Sequence, residues 1–226
     1  MAGSLHGPPE VVAGARRLLR RVLRPCHGRV LFVRRAPLSL ARRIAARLPG
    51  RGARDIATTL SRLSEGLDLM RGVPGDGPLR LPYWREPAEG PSPPDPARDG
   101  RGILWYAPLV PMTRLDAEAL VGLVRRTCAA HRFDPLITLT SLSDRVFDCT
   151  IPLLFDRATE AEEARAVACW EELFERGRTR GFVPYRVGSS QMAHIVDRER
   201  PFWRLAAALK AAVDPGGIVS PGRYGG

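Results

Sequence analysis

Tyr185 and Arg186 are adjacent in a short extended stretch, Phe182-Val183-Pro184-Tyr185-Arg186. A phenol donor beside a permanent cation is suited to holding a phenolate or another anionic oxygen through charge-assisted hydrogen bonds. His194 follows in the next segment and can exchange protons near neutral pH. Arg223 lies in the tail Pro221-Gly222-Arg223-Tyr224-Gly225, where little side-chain bulk would keep a flat ligand from the backbone. Other chemistries lack their parts. His6, His27 and His131 read as surface or structural histidines, and no G-x-S-x-G elbow is present. Cys26, Cys128, Cys149 and Cys169 form no CxxC pair and have no histidines at metal-ligand spacing, so they read as buried free thiols in a reducing compartment.

The elements that must position these residues follow from periodicity. Glu10 to Leu23 sets Val11, Leu18, Leu19, Val22 and Leu23 against Arg16, Arg17, Arg20 and Arg21, an amphipathic helix read as a packing helix with a solvated basic face. Val30-Leu31-Phe32-Val33 is a short buried-strand candidate, and Pro37 to Arg47 returns to helix. Ile56, Leu60, Leu63, Leu67 and Met70 recur at helical steps, which predicts a helix with one buried face. Glu86 to Gly102 is rich in Pro, Gly and Asp and reads as a surface loop or boundary.

A regular alternation then begins. Ile103 to Ala107 predicts a strand, with Trp105 and Tyr106 candidates to share a concavity with Tyr185 and Arg186. Thr113 with Asp116 predicts a capped helix to about His131. Leu136 to Thr140 and Val146 to Phe155 predict two strands joined by a polar turn. Thr159 with Glu162 predicts a second capped helix to about Arg178, and Phe182 to Val187 a last strand. This is the order of a ferredoxin-like unit: an α+β chain whose antiparallel sheet carries both helices on one face, plus a helical N-terminal part. The expected organisation is 1–85 helical, 86–102 loop, 103–187 sheet-and-helix core, and 188–226 C-terminal helix and tail.

The chain has 226 residues and 35 basic against 24 acidic side chains, a net charge of +11 in which Lys210 is the only lysine. Charge of this sign favours an acidic partner, yet the arginines are scattered among Ala, Gly and Pro in the manner of a compositional bias. No nucleic-acid motif accompanies them. The expectation is no nucleic-acid and no membrane partner, and, without an apolar run long enough to span a bilayer, a cytoplasmic location.

Tyr185-Arg186, the Pro201-to-Val213 helix, Asp214-Pro-Gly-Gly-Ile218 and Pro221-Gly-Arg223 resemble the C-terminus of the vanillyl-alcohol oxidase / p-cresol methylhydroxylase family. The similarity extends upstream through Gly72-Val73-Pro74, Tyr83-Trp84-Arg85, Asp95-Pro-Ala-Arg-Asp99, Trp105-Tyr-Ala-Pro108 and Phe155-Asp156-Arg157, covering roughly Arg54 to the end. The resemblance implies a substrate cap plus the closing segment of a flavin domain, with no counterpart here of the family's FAD-binding domain. It places Tyr185 and Arg186 on the pair that holds a substrate phenol as phenolate, and Arg223 near the pyrimidine edge of the flavin. Residues that some members make polar fall at Leu139, Asp148 and Pro152, of which only Asp148 is ionisable. The flavin-linking histidine of some members falls at about Ile103, which cannot form that bond.

The function implied is hydride removal from a para-substituted phenol, with FAD bound only when a separate FAD-binding polypeptide is present. A small aromatic substrate is the expected ligand, and a homo-oligomer is compatible with the sequence. The alternatives are a flavin-free cyclase or isomerase on the retained cap scaffold, and a non-catalytic subunit.

Overall fold

A computed structural model of the chain describes residues 5–26, 30–33, 35–85 and 93–223. It divides into two compact units, Met1–Pro78 and Leu79–Gly226.

The first unit is helical: α1 is Pro9–Val22, α2 Arg35–Ala45 and α3 Arg51–Leu69. Pro9 opens α1, where its missing N–H costs nothing. Two expectations fail here. Residues 30–33 form no strand; Phe32 instead lies beneath the guanidiniums of Arg16 and Arg20, at 4.8 and 5.0 Å. A lone four-residue strand has no ladder to satisfy its backbone, and no strand runs beside it among the described residues of this unit. The periodic face of α3 is also not sealed: Ile56, Leu63 and Met70 are each more than two-fifths exposed.

The second unit is the expected α+β layer. Strands β1 (Arg101–Tyr106) and β2 (Leu109–Pro111) both pair antiparallel with β4 (Val146–Asp156) in a single register, from Arg101↔Asp156 to Pro111↔Val146. They are in effect one strand interrupted at Ala107-Pro108. Strand β3 (Thr138–Ser141) pairs with the other edge of β4. Helices α4 (Arg114–Ala130) and α5 (Glu160–Arg178) pack on one face. The core between them joins Tyr106, Val110, Cys149, Ile151 and Leu153 of the sheet to Leu120 and Val124 of α4 and Trp170 and Leu173 of α5.

The strand expected at Phe182 to Val187 is reduced to one bridge, Pro108↔Pro184. Neither proline has an N–H to donate. Among the described residues, the ladder bonds left are Leu109 N–H to Val183 O at 2.9 Å and Tyr185 N–H to Ala107 O at 3.1 Å. Even so, the segment runs along the outer edge of β1, and the spatial order (182–187, β1/β2, β4, β3) is that of the ferredoxin-like unit.

Thr113 caps α4 as expected, its hydroxyl accepting from Asp116 N–H at 3.1 Å. Thr159 does not cap α5 with its side chain; Glu162 turns back to accept from Asp156 N–H at 2.8 Å, tying the helix start to the end of β4. Beyond the sheet, α6 (Pro201–Val213) leads into the tail. No described helix is long and apolar enough to cross a membrane.

Candidate functional site

The helix-free face of the sheet, at its 182–187 edge, gathers the candidate residues. A strand presents successive side chains to opposite faces, so Trp105 and Tyr106 cannot share a surface. Tyr106 pairs with Ile151 and is wholly buried under the helices, its phenol 3.5 Å from Phe182 O. Trp105, paired with Pro152, takes the other face.

There the Arg186 guanidinium lies 6.0 Å from the Trp105 ring centre and 5.4 Å from that of Tyr185. These are cation–π distances. Arg186 is exposed and has no carboxylate partner among the described residues. Its charge is held by two aromatic faces and not neutralised, which leaves its donors available to an anionic ligand.

Asp148 joins the cluster from β4. It pairs with Leu109 across one edge and Thr140 across the other, and its Oδ1 is buried with no hydrogen-bond partner. It sits close enough to Tyr185 to act on it. Burial pushes the Tyr185 phenol above its ordinary value of 10.0; the neighbouring Asp148 carboxylate adds to the rise, while Arg186 opposes it. The phenol therefore stays protonated at neutral pH, as a donor. The tail supplies the third charged member, for the half-buried Arg223 donates to Val187 O at 3.4 Å, immediately beyond Arg186.

His194 stands elsewhere. At the end of the short turn Ser189–His194, its ring is 5.3 Å from Trp170 and 5.5 Å from Phe174, against α5. The structure thus brings together Tyr185, Arg186, Trp105, Asp148 and Arg223, and leaves Tyr106 and His194 apart. Thr140, opposite Asp148, was not singled out from the sequence; strand register was the signal that could have found it.

No protein-family profile matches the sequence. Individual proteins do. The chain is 30% identical over 220 residues to the 1'-carboxy-chondrochloren decarboxylase of Chondromyces crocatus, covering 97% of this chain and 40% of that protein. It is 28% identical over 158 residues to the 4-cresol dehydrogenase (hydroxylating) flavoprotein subunit of Pseudomonas putida, covering 70% of this chain and 28% of that protein. Among solved structures, p-cresol methylhydroxylase with substrate bound superposes with a TM-score of 0.66 at 24% identity, covering 98% of this chain and 36% of that one. The chain resembles the cap and C-terminal segment of the vanillyl-alcohol oxidase / p-cresol methylhydroxylase family. A 4-ethylphenol oxidase from Gulosibacter chungangensis, in its isoeugenol complex, agrees: TM-score 0.67, 21% identity, 97% of this chain and 38% of that one. At these identities the structural likenesses speak for the fold. The chain spans about two-fifths or less of the length of the relatives it matches.

Two features bear on a flavin cofactor, which one of the relatives carries. Arg223 and the Gly222 backbone, at a positive φ of 75°, form an open cationic turn beside 185–187. Neither the sequence nor the described fold supplies a glycine-rich strand-to-helix turn that would hold a diphosphate.

Proposed function

We propose that this chain supplies the phenol-facing wall of an FAD-linked oxidoreductase acting on a small para-substituted phenol. The observation that carries this reading is the un-neutralised Arg186, set between the Tyr185 and Trp105 rings. A phenol oxygen placed there would accept from the Tyr185 hydroxyl and the Arg186 guanidinium, both of which favour the phenolate. Trp105 offers a flat apolar face for the substrate ring. When bound, FAD supplies the hydride acceptor; Arg223 would lie along one edge of it.

Most of the FAD contacts then lie outside these 226 residues, in the same polypeptide or a second one. A single arginine contact at a partly exposed site contributes on the order of 1 kcal/mol, against roughly 8 kcal/mol for micromolar affinity. The 226-residue chain should therefore purify colourless and show no saturable FAD binding by calorimetry at about ten times the micromolar range. With an FAD-binding domain of the family supplied, a yellow complex should oxidise 4-ethylphenol, and Arg186→Ala should lower kcat/KM about 100-fold, the scale of one lost oxyanion donor. An Arg186→Ala complex as active as wild type would sink the proposal.

The match spanning 97% of the chain to a decarboxylase favours a second reading. The same cationic face would then hold a carboxylated phenol that loses carbon dioxide and takes up a proton at the carbon left behind. Carbon dioxide release from a 4-hydroxyphenyl carboxylic acid, measured alongside flavin reduction by 4-ethylphenol, separates the two. Turnover without any flavin would point to a flavin-free enzyme on the same scaffold.

A further inference from the structure

The positive charge of this chain is confined to one unit. Residues 1–78 carry fifteen arginines against five carboxylates, a net of +10, whereas the remaining 148 residues carry twenty basic side chains against nineteen acidic, a net of +1. A compositional bias towards arginine acts on both stretches alike. It does not explain why only the second is balanced by acids.

Helix α1 shows what the imbalance accompanies. None of its residues is buried. Val11, Leu18 and Val22, which share one face by helical spacing, are 59%, 54% and 58% exposed. Arg16, Arg17, Arg20, Arg21 and Arg24 lie across the opposite side and the helix end, and Glu10 is its only acid. The sequence suggests a packing helix with a solvated arginine face; in the structure Val12, Leu19 and Leu23 are half-buried, while the Val11, Leu18 and Val22 stripe is uncovered. Next in the chain, Leu31 is 82% exposed.

We propose that this unit docks on an anionic lipid bilayer, with α1 lying in the plane of the interface. An uncovered aliphatic stripe flanked by arginines matches acyl chains beneath anionic headgroups. A nucleic acid would use the arginines but has no use for the stripe. A second copy of the chain would bring two units of net +10 together, which like charges oppose.

The test is co-sedimentation of the full 226-residue chain with vesicles of phosphatidylglycerol and phosphatidylcholine. Binding is expected to anionic vesicles and not to pure phosphatidylcholine, and to fall at least tenfold between about 0.05 and 0.5 M NaCl. Two variants separate the contributions. Leu18→Asp/Val22→Asp and Arg17→Glu/Arg21→Glu should each weaken binding at least tenfold; because α1 has no buried residue, both should keep the wild-type circular dichroism and Tm. Leu115→Asp, at a 78% exposed position in the second unit, should bind as wild type. Absence of vesicle binding overturns the proposal, and so does binding that survives Leu18→Asp/Val22→Asp. Tight binding to a DNA duplex or an acidic protein, unaffected by Leu18→Asp/Val22→Asp and without vesicle binding, overturns it in favour of that partner.

Discussion

Arg223 donates to the carbonyl of Val187, so the end of the chain is tied to the residue after the Tyr185-Arg186 pair. The tail reaches that point because of a hook just upstream. Asp214, buried at the end of α6, accepts from Lys210 Nζ at 2.8 Å and from the backbone N–H groups of Ile218 and Val219 at 3.0 Å each. Lys210 Nζ also donates to Val219 O at 2.7 Å. Gly217 and Ser220 turn the chain with φ of 62° and 47°.

Asp214→Asn should loosen this hook in a pH-dependent way. The bond from Lys210, with those from Val219 and Ile218, holds the carboxyl below its ordinary value of 3.8. A folded-state pKa lower than the unfolded one gives stability that is present above the unfolded value and is lost as pH falls through the folded one. The variant should therefore melt below wild type at pH 6 to 7, and the gap should close below about pH 4. A gap constant from pH 7 to pH 3 would show that the charge of Asp214 is not what holds the tail.

Gly177→Ala should destabilise although alanine is the better helix former. A Cβ there would stand 1.9 Å from the Tyr106 hydroxyl, and Tyr106 is rigid and wholly buried. Overpacking of this kind costs about 1–3 kcal/mol. In a Tyr106→Phe background the obstructing oxygen is gone, so the penalty should shrink. Urea denaturation of the four proteins of that cycle measures the coupling; additive effects would rule out the clash.

The fold was legible where local signals and the sheet agreed. Thr113 marked α4 correctly, and the alternation between Ile103 and Arg178 predicted the layer. The edge strand at 182–187 dwindled to a bridge because both facing residues are prolines, a pairing that periodicity within one segment does not reveal. Residues 30–33 carry strand-forming side chains, yet propensity does not supply a neighbouring ladder. In the site, the alternation of strand faces already forced a choice between Trp105 and Tyr106. Which one lies beside Arg186 depends on where α4 and α5 pack. His194 is close to Tyr185-Arg186 in sequence but was drawn to Trp170 and Phe174, a contact made only in the tertiary structure.

Cys128, Cys149 and Cys169 should resist thiol reagents in the native state. All three are free and buried. Burial pushes Cys149 up to about 12, and a hydrogen bond with Cys128 together with burial raises Cys169 further; the same bond lowers Cys128, which is protected by its complete burial alone. Thiolate is the reactive form. In a Cys26→Ser background, Ellman's reagent at pH 8 should label no thiol until denaturant is added, and then three. Rapid native labelling of any of them would mean that the core between the sheet and the two helices α4 and α5 opens readily.

The Tyr185 phenol reports directly on the site's electrostatics. Burial is the first cause of its raised pKa, the Asp148 charge adds to it, and Arg186 acts against both. Removing the carboxylate with Asp148→Asn should therefore lower the Tyr185 pKa, and removing the guanidinium with Arg186→Ala should raise it further. Phenolate absorbance near 295 nm, titrated with pH and corrected with a Tyr185→Phe variant, isolates this residue from the other tyrosines. A phenol ligand that is held as its anion by Arg186 should bind more tightly to Asp148→Asn than to wild type, since one like charge has been removed. If neither substitution moves the Tyr185 titration, Asp148 and Arg186 do not act on that phenol in solution. The case for a shared anion site at the 182–187 edge would then fail.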